Sequence, residues 1–221
     1  MNIEEFSAEM DVLLNSWDYQ IKFGLSNTPV VLDEYEKSVY LTKAQEETVL
    51  ELYNDFEKTE QLTEYLGPLL KENSYTDPET VKLPEDLWFR IYETATIDDE
   101  SLSCGGSTER EVDVVPVTHD MLYKTKNSPF RGANERRVLS VMTAPDTVSL
   151  ISKYHVKNYL VRYIAKPEPI ILQNLPEELS INDRKNAQEC ILDTSLHRKI
   201  LERAVMLALR AKSAYGSSSK E

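Results

Sequence analysis

Apolar residues recur at helical spacing from the N-terminus, where Ile3, Phe6, Met10, Leu13 and Trp17 fall on one face. Asn2 followed three residues later by Glu5 forms a capping box, so the spacing predicts a first helix over Asn2 to Trp17. Asn27-Thr28-Pro29 breaks that pattern, and Val30-Val31-Leu32 reads as a short extended piece. Asp33 with Glu36 repeats the box for a single helical turn, and Thr42 with Gln45 repeats it at the head of a longer helix. Val49, Leu52, Tyr53 and Phe56 stripe that helix, and Leu62, Tyr65, Leu66 and Leu69 extend the stripe until Gly67-Pro68 strains its end.

After Tyr75-Thr76-Asp77-Pro78 the period shortens to two. Leu87, Phe89 and Ile91 alternate with Trp88, Arg90 and Tyr92, which predicts a strand with two useful faces. A polar, Gly-containing loop over Asp98 to Ser107 precedes a strand through Val112, Val114 and Val117, and Thr118-His119-Asp120 opens a helical turn that ends near Lys124. Strands at Val138 to Met142 and Thr147 to Ile151 flank the turn chemistry of Thr143-Ala144-Pro145-Asp146. A dense β segment, Lys157 to Ala165, stops at Pro167-Glu168-Pro169, where ladder donors are missing, and Ile170 to Leu172 reads as the next strand. A closing helix from near Thr194 carries Leu196, Ile200, Leu201, Ala204, Leu207, Ala208 and Ala211 on its apolar face. Helices at both ends with strands between predict an α+β fold, a helical bundle frame holding an inserted antiparallel β module. The expected segments are 1–75 helical, 76–175 β-rich, 176–213 a loop and closing helix, and 214–221 a flexible tail.

Charge narrows the function. The 221 residues carry 38 acidic against 25 basic side chains, a formal −13, which repels nucleic acid. Cys104 and Cys190 share no C-x-x-C spacing and read as free thiols, and the acidic N-terminus lacks the basic and apolar regions of a signal peptide, so synthesis and retention in the cytoplasm are expected. No apolar run approaches the ~20 residues of a membrane span, so no membrane partner is expected. His119, His155 and His197 lack paired ligand spacing and read as ordinary surface or capping residues. Asp98, Asp99, Glu100 and Glu111 mimic a magnesium nuclease cluster, but adjacent carboxylates in a Gly-Ser loop are ordinarily just solvated. There is no phosphate-cradling loop, G-x-S-x-G or H-E-x-x-H, so no catalytic, cofactor or metal residue is assigned and a non-enzymatic role follows.

Two features invite a binding role. Pro129-Phe130-Arg131 is either an exposed interface anchor or a plug with Phe130 folded into its own core, and the sequence leaves the two level. The outer face of the second long helix holds Glu46, Glu47, Glu51, Glu57, Glu60 and Glu64, which reads first as a solvated face and second as a wall that keeps an anion from sticking.

Several blocks in order resemble the head-to-tail connector ring proteins of crAss-like tailed phages. These are Leu32 to Ser38 with Leu41 to Glu46, Phe56 to Glu60, Val117 to Asp120, Asn127 to Gly132, Tyr159 to Leu172 and Leu196 to Val205. Ser128 interrupts that family's Asn-Pro-Phe-Arg, and the loop over Ser101 to Thr108 also departs from it. The resemblance implies a virion protein without cofactors, a homo-oligomeric ring, commonly twelve-fold, on the portal protein. Other neck and tail rings would adjoin it, and double-stranded DNA would pass through its lumen without specific binding. Under that reading Phe130, Arg131, Arg136, Arg137, Arg162, Arg210 and Lys212 are interface candidates, and Glu46, Glu47, Glu51 and Glu57 are lumen candidates. A cytoplasmic scaffolding or regulatory oligomer that never enters a virion is the alternative, with a metal-dependent phosphodiesterase third.

Overall fold

In the computed structural model, which describes residues 1–25, 29–54, 64–98 and 108–218, helix α1 (Ile3–Leu14) starts at the Asn2 capping box. Asn2 Oδ1 accepts the Glu5 N–H and the Glu5 carboxylate accepts the Asn2 N–H, both at 2.8 Å. The helix stops short of Trp17. Asn15 leaves it to accept the Val30 N–H at 2.9 Å, tying down the extended Val30 to Leu32, and a second helix, α2 (Trp17–Lys22), begins afresh. Trp17 is therefore 66% exposed, not on the buried stripe with Phe6 and Met10.

Asp33 and Glu36 do form a box, but the helix it starts runs on as α3 (Glu34–Asn54) instead of stopping after one turn. The expected second start at Thr42 and Gln45 lies mid-helix, buried. Ser38, Thr42 and Gln45 fall on one face at i, i+4 and i+7 and serve as hydrogen-bond partners for the extended chain after Pro167. Ser38 Oγ accepts the Leu172 N–H at 3.0 Å, and Thr42 Oγ1 accepts the Ile170 N–H at 3.1 Å and donates to its carbonyl at 3.2 Å. The Gln45 amide donates to the Glu168 carbonyl at 2.8 Å. Residues 170–172 are thus not the expected sheet strand: a helix face satisfies their backbone, aided by one bridge between Ile171 and Gln188.

The closing helix, α5 (Thr194–Ser218), runs through the expected start of a tail and packs on α1 and α3. Leu196, Ile200, Leu201, Ala204 and Ala208 are buried as their spacing implied; Val205 and Leu209 are buried too, while Leu207 is only partly so. His197 on this helix is buried against the Phe6 ring, its Nε2 donating to the Leu192 carbonyl at 3.0 Å. Burial disfavours the imidazolium and holds its pKa below 6.5. The unfolded chain thus takes up a proton near pH 6.5 that the folded chain accepts only at lower pH, so the contribution is full above 6.5 and is lost progressively as pH falls from there through the lower folded value. His197→Gln should flatten the dependence of the urea midpoint on pH between about 7 and 5, checked by denaturation at several pH values.

Met1–Leu69 with Pro167–Glu221 form one compact unit and Leu70–Lys166 a second. The second holds a seven-stranded sheet in the order β1-β7-β3-β4-β5-β6-β2. Its strands are β1 (Leu70–Thr76), β2 (Thr80–Lys82), β3 (Leu87–Asp98), β4 (Glu109–Pro116), β5 (Arg137–Ala144), β6 (Thr147–Ile151) and β7 (His155–Ala165). β1 and β2 escaped the sequence reading, since Leu70–Thr76 is mostly polar and pairs on one side only, and Thr80–Lys82 is very short. They occupy opposite ends of the sheet order, yet only residues 77–79 separate them, a link that spans at most about 14 Å. A flat sheet would put those ends six strand spacings, roughly 29 Å, apart. The sheet must curl nearly closed, with Asp77 at φ 49° making the bend.

Val81, Ala95, Ile97, Val112, Val114, Val138, Val148, Val156 and Val161 share the interior. Buried Glu93 is held there by Arg90 at 2.8 Å and by the Tyr159 hydroxyl, which donates at 3.0 Å. Burial, with the Glu93 charge beside it, pushes the Tyr159 pKa far up. The module is not wholly antiparallel: β4 and β5 pair in parallel, Asp113 beside Arg137 to Pro116 beside Ser140. Parallel neighbours need a crossover, and a helix, α4 (His119–Lys126), with the loop after it supplies one.

Candidate assembly surface

A crossover helix normally buries a stripe. α4 buries no residue at all. After it the chain turns back on itself, with the Gly132 N–H donating to the Ser128 carbonyl at 2.9 Å. A Cβ at Gly132 would stand 2.7 Å from that oxygen and 3.1 Å from the Lys126 carbonyl, so only glycine permits the turn. The Ser128 hydroxyl accepts the Arg131 N–H at 3.2 Å, and the Arg137 guanidinium donates to the Phe130 carbonyl at 3.4 Å. Braced from behind, the loop projects Phe130 outward at 87% exposure, which excludes the plug. Tyr123, 80% exposed, and Met121 add to the same arm.

The arm is basic in an acidic chain. Residues 118–137 hold Lys124, Lys126, Arg131, Arg136 and Arg137 against Asp120 and Glu135. Lys124, Lys126, Arg131 and Arg136 make no ion pair among the described residues. Behind the loop, Val115, Val117, Met121, Arg131 and Arg137 line a groove of about 410 Å³.

The other interface candidates are placed differently. Arg162 gives both Nε and Nη2 to Glu72, at 3.0 and 2.6 Å, pinning β7 to β1, and Lys212 lies 3.9 Å from Glu36. Arg210 is exposed. Of the acidic candidates, Glu51 is held by Lys199 at 2.8 Å and Arg203 at 2.6 Å, and Glu47 stands 3.8 Å from Arg203. Hydrogen bonds from both cations hold the Glu51 carboxyl below its ordinary pKa. Glu46 accepts from the Asn182 amide at 3.1 Å, and Glu57 lies outside the described residues.

The acidic loop at Asp99 and Glu100 also lies outside the described residues, and no metal-holding group of His, Cys, Asp or Glu occurs among those described. Asp98 and Glu109 instead share Lys157, at 3.2 and 3.0 Å. A second apolar patch escaped the sequence reading: Val12, Trp17, Ile21 and Val31 all stand exposed. The one signal for it was the polar pair Asn15-Ser16, which interrupts the helix and frees Trp17 from its stripe.

Exposed aromatics on a braced loop, where Arg131 and Arg136 make no ion pair among the described residues, give this chain a surface suited to assembly. The chain belongs to the phage tail ring protein 3/4 family, whose sequence profile matches residues 1–220. It is 41% identical over 231 residues to Ring protein 3 of Bacteroides phage crAss001, covering 96% of each chain. It is also 31% identical over 243 residues to Ring protein 4/5 of the same phage, covering 97% of this chain and 94% of the relative. Among the described residues no helix is long and apolar enough to cross a membrane.

Proposed function

We propose that this chain forms a closed homo-oligomeric ring, twelve-fold, in the neck of a tailed phage, docked on the portal and joining it to the tail machinery. The observation that carries this reading is the family match along nearly the whole chain. Helices α1, α3 and α5 are the frame of the subunit, and the curled sheet is its inserted module. The ring does no chemistry: its residues hold neighbours and leave a channel open to duplex DNA. Twelve copies at −13 each repel a polyanion strongly, so DNA slides instead of sticking. Because Glu47 and Glu51 are ion-paired with α5, their share in the lining is the net charge of that helix pair, not a row of free carboxylates. Arg210, exposed on α5, is available to the portal or a neighbouring ring.

Imaging necks from virions of the phage that encodes this chain tests the proposal. The expected result is a closed ring of its copies seated against the portal. Absence of the chain from purified virions by mass spectrometry would overturn it. On its own, the assembled ring should leave duplex DNA unshifted in a gel at about 0.1 M salt.

A further inference from the structure

A closed cyclic ring needs two different surfaces on each copy, because every subunit meets its neighbour head to tail. Accepting the ring reading above, the structure offers two candidates of opposite character. One is the arm of α4 and its loop, with Tyr123 and Phe130 exposed and five basic residues against two acidic ones. The other is the ridge of α1 and α2. Residues 1–25 hold Glu4, Glu5, Glu9, Asp11 and Asp18 against Lys22 alone, and Val12, Trp17 and Ile21 protrude among them. Glu5, Glu9 and Val12 lie at i, i+4 and i+7 on one face of α1, and Trp17 and Ile21 at i and i+4 on one face of α2.

We infer that the arm of one copy docks on the α1–α2 ridge of the next. Each surface pairs an apolar anchor with a charge rim, and the signs are opposite, as steering and register of an interface require. A second copy is the favoured occupant because this chain itself carries the complement: the arm is cationic in a protein of net charge −13. The bracing behind Phe130 fits this role. Gly132, Ser128 and Arg137 fix the loop before any partner arrives, which lowers the ordering cost of docking. The groove behind the loop, with its apolar floor and two guanidiniums, suits an aliphatic side chain flanked by a carboxylate, the chemistry of Ile21 and Asp18.

Two variants, each keeping one surface, test the pairing by sedimentation equilibrium. Trp17→Glu/Ile21→Glu retains the arm, and Phe130→Glu/Arg131→Glu retains the ridge. Each alone should associate at least 100-fold more weakly than the unaltered chain, whereas an equimolar mixture should form a one-to-one dimer that grows no further. A charge exchange serves as the second arm of the experiment and leaves the apolar anchors intact. Glu9→Lys/Asp18→Lys mixed with Arg131→Glu/Arg136→Glu should reunite two chains that each fail alone.

Far-UV circular dichroism and melting temperatures matching the unaltered chain check folding, since every altered residue is on the surface. Mixtures that stay monomeric while the unaltered chain forms rings would overturn the pairing and leave the ring reading standing. So would a single variant that still dimerises with itself, which would mark a like-with-like contact. An unaltered chain monomeric at about 1 mM would remove this contact as a driver of assembly. Retardation of duplex DNA that Arg131→Glu/Arg136→Glu abolishes would reassign the arm to nucleic acid.

Discussion

Thr42→Val should lower unfolding stability by roughly 2–4 kcal/mol, far more than its near-identical shape suggests, because it orphans two buried backbone groups together. Thr42 is fully inside, and its one hydroxyl serves both the N–H and the carbonyl of Ile170. No ladder strand among the described residues stands ready to replace it, and the chain just before it offers no donor at Pro167 or Pro169. Urea unfolding gives the measurement: the midpoint should fall with the slope unchanged. Thr42→Ser, which keeps the hydroxyl, should lose much less. A valine variant within about 0.5 kcal/mol of the parent would mean that the helix face is not what satisfies this backbone.

Lys37→Met should cost roughly 2–3 kcal/mol by the same assay. The ammonium is almost wholly buried and spends its three protons on Asp11 at 2.7 Å, Glu34 at 2.9 Å and Ser7 at 3.0 Å, so it ties α1 to α3. Burial alone would pull its pKa down; the hydrogen bonds to Asp11 and Glu34 outweigh that and hold it above the ordinary lysine value. Methionine would leave two like charges facing each other, though water reaches both carboxylates and softens the loss. Asp11→Asn/Glu34→Gln added to Lys37→Met should recover part of the deficit. A triple variant less stable than the single one would place the loss in packing, not in unpaired charge.

Local chemistry was the part of this fold open to a reader of the sequence. The Asn2–Glu5 and Asp33–Glu36 boxes form, β3 to β7 arise from their alternating runs, and the apolar face of α5 starts where Leu196 puts it. What misled was chemistry with more than one use. Thr42 and Gln45 have the letters of a cap, and the same hydroxyl and amide serve equally to hold a distant backbone; the choice depends on residues 168–172, which no window around Thr42 contains. Polar Leu70–Thr76 becomes a strand only because β7 lends it a ladder.

The assembly surface shows the same division. Phe130 and Arg131 stood out as residue types, but their exposure is fixed by contacts that reach back to Lys126 and forward to Arg137. The spacing puts Trp17 inside only by continuing the stripe through Asn15, the residue that caps α1.

The row of Ser38, Thr42 and Gln45 also sets a timetable. Its partners lie as far as 134 residues further along, with the whole of Leu70 to Lys166 in between. During synthesis at about 5–20 residues per second, α3 leaves the ribosome several seconds before the segment that will cover it exists. Through that interval its polar row and apolar neighbours stay open to water and to other nascent chains. The β unit shortens the wait once it is made. Its first residue, Leu70, pairs with Ile164 near its end, so closing the sheet brings the two separated halves of the helical unit within a few residues of each other. A lesion that slows closure of the sheet should therefore appear first as aggregation of the nascent chain, before any defect in the finished protein.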